Sequence, residues 1–139
     1  MSSKHTTMSN TEIWAMPEPE LLAAILARCE GRDAWPVRVQ PERHNQRGAA
    51  NKGFPDLLII GPGGRRSLYR ELKSMNGNGP GRGLNSDQTT WKYRIQSGGL
   101  DWAVWTPADL ASGRIDRELD DLATPDDYSD KWALLNAHP

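Results

Sequence analysis

A β-hairpin is indicated by three consecutive stretches, GFPDLLII at positions 53–60, GPGGRR at 61–66 and SLYRELK at 67–73. Two β-rich runs, from Asp56 to Ile60 and from Ser67 to Lys73, flank a turn rich in glycine and proline. A two-residue turn at Gly63-Gly64 fixes the pairing of the two strands by counting back from the turn. That register places Asp56 directly opposite Glu71.

This pairing brings together side chains that could bind a metal ion. Directly opposed residues have Cβ atoms about 4.5 to 5.5 Å apart, so Asp56 and Glu71 can both reach one cation. Lys73 lies two residues beyond Glu71 and points to the same face. Two such close carboxylates repel each other unless a cation neutralises them, and oxygen ligands favour Mg²⁺ or Mn²⁺ over zinc. The alternative is chance, because an Asp at a strand start and an exposed Glu-x-Lys are common patterns.

Length and composition predict one domain in a chain of 139 residues. We assign it to residues 17–123, after a polar extension at 1–16 and before a tail at 124–139 that contains a short apolar cluster. That cluster, Trp132 with Leu134 and Leu135, is interpreted as a docking helix or an oligomer contact. Neither a signal peptide nor a long apolar run is evident, which predicts a cytoplasmic protein without membrane contact. The single cysteine, Cys29, falls in a helical apolar stripe and is predicted to lie in the core.

The net charge of −1 hides a segregation of charge along the chain. Between Arg38 and Arg94 there are eleven Lys or Arg residues against four acids, a net charge of +7. Between Asp101 and Asp130 there are nine acids against two arginines. A basic middle around the carboxylate pair fits phosphate binding, whereas the acidic segment is interpreted as a solvated surface.

A helix is predicted from Pro19 to Glu30, with apolar residues at helical spacing. Glu18 is in phase with this buried stripe, whereas Glu20 falls on the opposite face. The phase makes Glu18 the better candidate for a third carboxylate at the site. The alternative is that Glu18 is simply a favourable acid at a helix N-terminus.

A strand is predicted from Trp35 to Val39, and Pro36 within it suggests an edge position. The polar stretch from Pro41 to Lys52 follows and lacks helical or strand periodicity. It carries Arg43, Arg47 and Lys52 directly before the carboxylate hairpin. We interpret it either as a clamp on a phosphate backbone or as a solvated connector.

A second helix is predicted from Asp87 to Gln96, with Ser86 as its N-cap and glycines at its end. Gln88, Trp91 and Lys92 share one face of this helix, so Gln88 and Lys92 are candidates to look toward the carboxylates. Ordinary amphipathicity explains the same pattern. The preceding glycine-rich stretch lacks the spacing of a phosphate-binding loop, so no nucleotide cofactor is expected.

A final strand is predicted from Asp101 to Thr106, and the cap Thr106-Pro107 with Asp109 begins another helix. The chain is therefore predicted to be an α/β protein. A helix comes first, followed by a three-stranded antiparallel meander, a helix and a final strand. The resulting mixed sheet has helices on both sides.

The order of these elements resembles the restriction-endonuclease-like PD-(D/E)xK superfamily. Within that superfamily the chain is similar to the virus-type replication-repair nuclease (VRR-NUC) domain over roughly residues 18–122. The motifs that carry the similarity are GFPDL at 53–57, ELK at 71–73, LNSDQTTW at 84–91, GG at 98–99 and VWTPADL at 104–110. One departure is Leu22, where family members often carry a glutamine.

The resemblance implies a restriction-endonuclease-like core and a Mg²⁺- or Mn²⁺-dependent endonuclease that hydrolyses DNA phosphodiester bonds. The metal ligands implied are Glu18, Asp56, Glu71 and the backbone carbonyl of Leu72. Lys73 and the helix glutamine, Gln88, are the further catalytic residues implied. Backbone contacts to DNA are proposed for four cationic side chains, Arg43, Arg47, Lys52 and Lys92.

Stand-alone members of the resembled family, from bacteria and their viruses, are associated with branched DNA such as four-way (Holliday) junctions. The resemblance thus implies a junction resolvase of a bacterial or phage-infected cell, acting as a homodimer to cut both strands. Two alternatives stay open at this point. One is a protein of the same fold that binds branched DNA without cutting it, and the other is a nuclease for flaps, single strands or RNA.

Overall fold

The chain folds around a four-stranded mixed sheet with helices on both of its faces. A computed structural model describes residues 7–39, 51–64, 66–75 and 83–124. The strands are β1 (Trp35–Arg38), β2 (Leu57–Ile60), β3 (Ser67–Leu72) and β4 (Asp101–Trp105). The helices are α1 (Asn10–Ala15), α2 (Glu18–Cys29), α3 (Ser86–Ser97), α4 (Pro107–Ala111) and α5 (Arg114–Ala123).

The order of the strands in the sheet follows their order in the sequence. β1, β2 and β3 form an antiparallel meander, and β4 pairs parallel to β3 after a crossover through α3. A parallel pair needs such a long connection, because the chain must return to the same end of the sheet. The predicted α/β class and the mixed sheet flanked by helices are confirmed.

The register of the β2–β3 hairpin is the predicted one, although the turn differs. Leu58 lies opposite Tyr69, as the count from the turn requires. The turn spans Pro62–Gly64, with Gly63 at φ +76°, and is not the predicted two-residue turn at Gly63-Gly64. The last hairpin bond runs from the Gly61 N–H to the Arg66 carbonyl at 2.9 Å, so alternation turns position 62 away from β3 and the missing N–H of Pro62 costs no bond. The register is unchanged because Gly61 and Arg66 satisfy the same count.

One face of the sheet carries the main core. The apolar stripes of α2 and α5 pack there against the inward-facing side chains of β2, β3 and β4. Cys29 is buried in this core, as predicted. The residues that form its centre are Leu21, Ile25, Leu57, Ile59, Leu68, Leu72, Trp105, Ile115, Leu119 and Leu122. Alternation along each strand leaves the intervening residues on the other face, where α3 lies.

The N-terminal region holds a helix that the sequence does not predict. α1 lies within residues 1–16, and Ser9 with Glu12 forms a capping box at its start. Met16, at its end, is buried in the core. Six helical residues are too few to show a 3.6-residue apolar period, so the sequence pattern did not predict this helix. The predicted cap of the later helix α4, Thr106 with Asp109 and Pro107, is confirmed.

Several sequence predictions fall outside the described residues. They concern Arg43 and Arg47 in the basic loop, most of the glycine-rich stretch that follows Lys73, and the apolar cluster of the tail. Within the four described ranges, no helix combines the length and the apolar content needed to cross a lipid bilayer.

A buried arginine stands in the middle of the sheet. Arg70 is 2% exposed, and its guanidinium donates to Glu118 at 2.8 Å and to the Asp101 carbonyl at 2.9 Å. Glu118 also accepts from the Trp105 indole and from Arg114. Burial opposes ionisation of Glu118, but these hydrogen bonds hold its pKa below the ordinary value. The network joins β3, β4 and α5 across the core.

We expect Glu118→Ala to lower the free energy of unfolding by about 3 kcal/mol, because it removes one of the two carboxylate partners of a buried guanidinium and the acceptor of the Trp105 indole. The matched control is Asp121→Ala, which breaks the exposed ion pair between Arg66 and Asp121. That change should cost no more than about 1 kcal/mol. Urea denaturation followed by circular dichroism measures both, and equal losses would contradict the structural role given to Arg70.

Candidate active site

Two carboxylates meet on the sheet face that carries α3. The β2–β3 register pairs Leu57 with Arg70, and one further step places Asp56 against Glu71. The two side chains are close enough for Asp56 to raise the pKa of Glu71. Asp56 itself stands in the bend just before β2, so its backbone leaves the ladder while its side chain still reaches β3.

Each carboxylate has a defined donor. An oxygen of Asp56 accepts the backbone N–H of Leu72 at 2.8 Å, which holds the Asp56 side chain against β3. Glu71 is 3% exposed, and its Oε2 accepts the side-chain amide of Gln88 at 2.8 Å. Both carboxylates are therefore fixed in orientation before any ligand arrives, and each retains an oxygen outside these bonds.

Burial disfavours the charged form of Glu71 in this pair. Burial, the negative charge of Asp56 and the hydrogen bond to Asp56 raise the pKa of Glu71 to about 9. The ammonium of Lys73 acts in the opposite direction but does not cancel these effects. In the absence of another cation, the pair therefore retains a proton at neutral pH. A cation bound between the carboxylates would replace that proton.

Lys73 lies beside the pair, as its place in the sequence predicts. Its backbone N–H donates to the Trp105 carbonyl at 3.1 Å, so the parallel ladder with β4 continues to this residue. Its Nζ is 3.8 Å from Glu71 Oε2 and donates to the Gly83 carbonyl at 2.9 Å and to Gln88 Oε1 at 3.3 Å. The ammonium is thereby held at the edge of the carboxylate pair.

Gln88 connects the helix to the site. Its amide nitrogen donates to Glu71, while its Oε1 accepts from Lys73 and from the backbone N–H of Asn85. Asn85 returns the bond by accepting the N–H of Gln88, which completes a capping box. The N-cap is thus Asn85 and not the predicted Ser86. The sequence carried this signal, because Asn85 and Gln88 have the spacing of a capping box.

A close backbone approach sets the position of α3 relative to the hairpin. Gly53 has φ +86°, and a Cβ placed on it would lie 2.5 Å from the backbone carbon of Asp87. Only glycine allows the turn before β2 to pass so near the first turn of α3. Phe54 then packs edge-to-face on Trp91, with ring centroids 5.0 Å apart. The glycine of the GFPD motif is thus required by packing.

Glu18 approaches the site from the first turn of α2. It is exposed as a residue, yet partial burial and the negative charge of Asp56 raise its pKa, while Lys73 and a hydrogen bond with the backbone of Ser74 lower it. Glu20 lies elsewhere, in a groove with Met8 and Glu12. The helix phase therefore distinguishes the acid that lies beside the carboxylate pair, Glu18, from Glu20, which lines the other groove.

The donor set fits a hard divalent cation in its chemistry. Asp56 and Glu71 offer carboxylate oxygens on one face. Glu18 lies near enough for the charge of Asp56 to raise its pKa. In the part of the chain that the structure describes, however, no three His, Cys, Asp or Glu side chains come together as a metal-binding group. The carboxylate pair is thus the centre of the candidate site, and Glu18 stands at its margin.

The candidate DNA-contacting lysines differ in their surroundings. Lys52 has a side chain that is 76% exposed and lies 3.8 Å from Asp87, at the start of α3. Lys92 extends its ammonium over the ring of Trp102, 5.2 Å from the centroid. Arg94, which the sequence did not single out, lies 5.0 Å above the ring of Trp91. Its spacing of three residues from Trp91 was the available signal.

Comparison with models of known families, with curated proteins and with solved structures finds no match.

We expect Glu71→Gln to stabilise the metal-free protein at neutral and alkaline pH. A carboxyl whose folded pKa is raised from near 4.5 to about 9 stabilises the fold below that range and loses this contribution as the pH rises through it. The unfolding free energy of the wild-type protein in chelator should thus fall more steeply from pH 5 to pH 9 than that of Glu71→Gln.

Urea denaturation across this pH range measures both slopes. Mg²⁺ or Mn²⁺ should restore the unfolding free energy of the wild-type protein at alkaline pH. The same ions should have little effect on the unfolding free energy of Glu71→Gln. If the unfolding free energies of the two proteins in chelator vary with pH in the same way, the pKa of Glu71 is not raised and the prediction is wrong.

Proposed function

We propose that this protein is a divalent-metal-dependent endonuclease that cuts branched DNA. The observation that carries the proposal is the carboxylate pair of Asp56 and the buried Glu71, with Lys73 on the same face. Such a pair repels phosphate unless a cation is bound, so a protein that only held DNA would gain nothing from it. The resemblance to VRR-NUC domains and the restriction-endonuclease-like order of elements support the same reading.

Each residue of the site has its own proposed role. Asp56 and Glu71 would hold the metal, with Glu18 and the Leu72 carbonyl as further ligands. Bound Mg²⁺ or Mn²⁺ lowers the pKa of a water molecule and neutralises charge on the scissile phosphate. Lys73 places a positive charge beside the carboxylates, where negative charge grows during phosphodiester hydrolysis. Gln88 is a positioning residue, because it holds both Glu71 and Lys73 in place.

The DNA backbone would run over the basic side of this site. Lys52 and Lys92 flank the first turns of α3, and Arg43 and Arg47 precede the hairpin in the sequence. Contacts of this kind fix the position of a phosphate backbone without reading its sequence. A homodimer would present two such sites, as symmetric cleavage of a four-way junction requires.

Cleavage is expected in Mg²⁺ or Mn²⁺ and should cease in chelator. Asp56→Asn and Lys73→Met should each lower the rate by at least about 100-fold, because each removes a charge that acts on the reacting phosphate. The measurement is cleavage of a labelled four-way junction beside a linear duplex, a flap, a single strand and RNA. Asp33→Asn, in the turn after α2, is the matched exposed-acid control.

Cleavage that persists in chelator or in Asp56→Asn would contradict the proposal. Junction binding with neither cleavage nor Mn²⁺ binding in titration calorimetry would instead favour a DNA-binding protein of the same fold.

A second expectation concerns Gln88. Gln88→Ala should weaken Mn²⁺ binding or lower the cleavage rate by about 10- to 100-fold, because partners that orient a metal-binding carboxylate have effects of this size. Gln96→Ala is a matched control on the same helix, since Gln96 is exposed and lies at the far end of α3. Equal effects of the two substitutions would remove Gln88 from the site.

A further inference from the structure

The sheet face that carries the carboxylates is not uniformly covered. α3 packs on its β4 side, whereas two side chains of β1 on the same face are exposed, Trp35 at 51% and Val37 at 44%. They share this face with the site because Val37 lies opposite Leu58, and Leu58 lies opposite Tyr69. An aromatic surface therefore lies on the same side of the sheet as Asp56 and Glu71.

The distance from this surface to the site is set by the strand. The Val39 N–H donates to the Asp56 carbonyl at 3.0 Å, so Val39 is level with the carboxylate pair. Trp35 stands four residues earlier, which corresponds to about 13 Å along a β-strand. Stacked bases in one DNA strand are about 3.4 Å apart, so this distance spans roughly four bases.

The backbone of β1 is a poor template for another strand. Because Val39 donates inward to β2, alternation directs the backbone nitrogens of Pro36 and Arg38 toward the sheet edge. Pro36 has no N–H, which removes one of these outward donors. A partner at this edge is therefore recognised through the side chains of Trp35 and Val37 rather than by strand addition.

The size of the exposed surface also favours a small partner. A stable protein interface buries about 800 Å² on each side, far more than one half-exposed tryptophan and one valine present. A single nucleobase needs only one aromatic face, and such stacking contributes about 5-fold or more to affinity per base. Cations on the same face, Lys52 and Lys92 among them, suit the phosphates that accompany a base.

We propose that Trp35 stacks on a nucleobase left unstacked at a DNA branch, and that this contact selects branched over linear DNA. The inference rests on the proposed function and names the feature of the substrate that the site would recognise. In a continuous duplex each base is covered by its neighbours, so no base face is available to Trp35. At a branch, a base about four positions from the scissile phosphate can lie against the indole.

Binding without cleavage tests this directly. Wild-type protein in chelator is titrated into a four-way junction that carries 2-aminopurine at the branch, and into a linear duplex of the same sequence. Trp35→Ala should lower the affinity for the junction about 5-fold or more, leave the duplex affinity within twofold, and abolish the 2-aminopurine fluorescence change. Trp35→Phe should retain most of the fluorescence change, because an aromatic face remains.

Trp14→Ala is the matched control, because Trp14 is also 51% exposed but lies on α1. Equal loss of junction and duplex affinity in Trp35→Ala, or the same loss in Trp14→Ala, would overturn the inference. A marked fall in the melting temperature of the Trp35→Ala protein without DNA would also overturn the inference, because Trp35 would then contribute to the protein's own packing. A change in its mass by light scattering would assign the surface to a second copy of the chain.

Failure of the proposed function has a different signature. If the wild-type protein shows no preference for the junction over the duplex, the branched substrate itself is overturned. If the preference exists and survives Trp35→Ala, only the role of Trp35 is overturned.

Discussion

Two carboxylates are held against each other in this protein, one of them on the buried Glu71. Asp56 and Glu71 cannot both carry full charge there without a cation, and the proximity of Lys73 alone does not reverse the rise in the Glu71 pKa. The hairpin register brings the pair together, and Gln88 with the Leu72 N–H fixes its orientation. Much of the surrounding architecture, from the Gly53 turn to the cap of α3, serves to hold this unfavourable arrangement.

The same strand carries a second charge on its opposite face. Arg70 and Glu71 are neighbours in β3, and both are almost completely buried. Arg70 is neutralised by Glu118 within the protein, with the Asp101 carboxylate at 2.9 Å as a second partner, whereas Glu71 has no such complete partner among the described residues. The contrast separates an ion pair completed within the fold from a carboxyl group whose pKa stays raised.

Local patterns in the sequence predicted most of this arrangement. Counting back from the turn found the β2–β3 register, and the helical phase distinguished Glu18 from Glu20, because both are properties of short segments. Other features were not predicted. The N-cap of α3 is Asn85 and not Ser86, the turn of the hairpin spans Pro62–Gly64, and α1 was too short to show a period. The partnership of Arg70 with Glu118 joins residues distant in sequence, and no local pattern encodes such a contact.

Pairing of β3 with β4 has a consequence for how the protein is made. The parallel ladder reaches Lys73 only after the crossover through α3 has been closed, and Arg70 gains its partner Glu118 only once α5 has been synthesised. Contacts of high sequence separation form late, since the loop-closure entropy must first be overcome. The hairpin leaves the ribosome well before its partners, and a chain interrupted before α5 would lack the contact between Arg70 and Glu118. The central strand therefore gains its full set of ion pairs only when α5 has been synthesised.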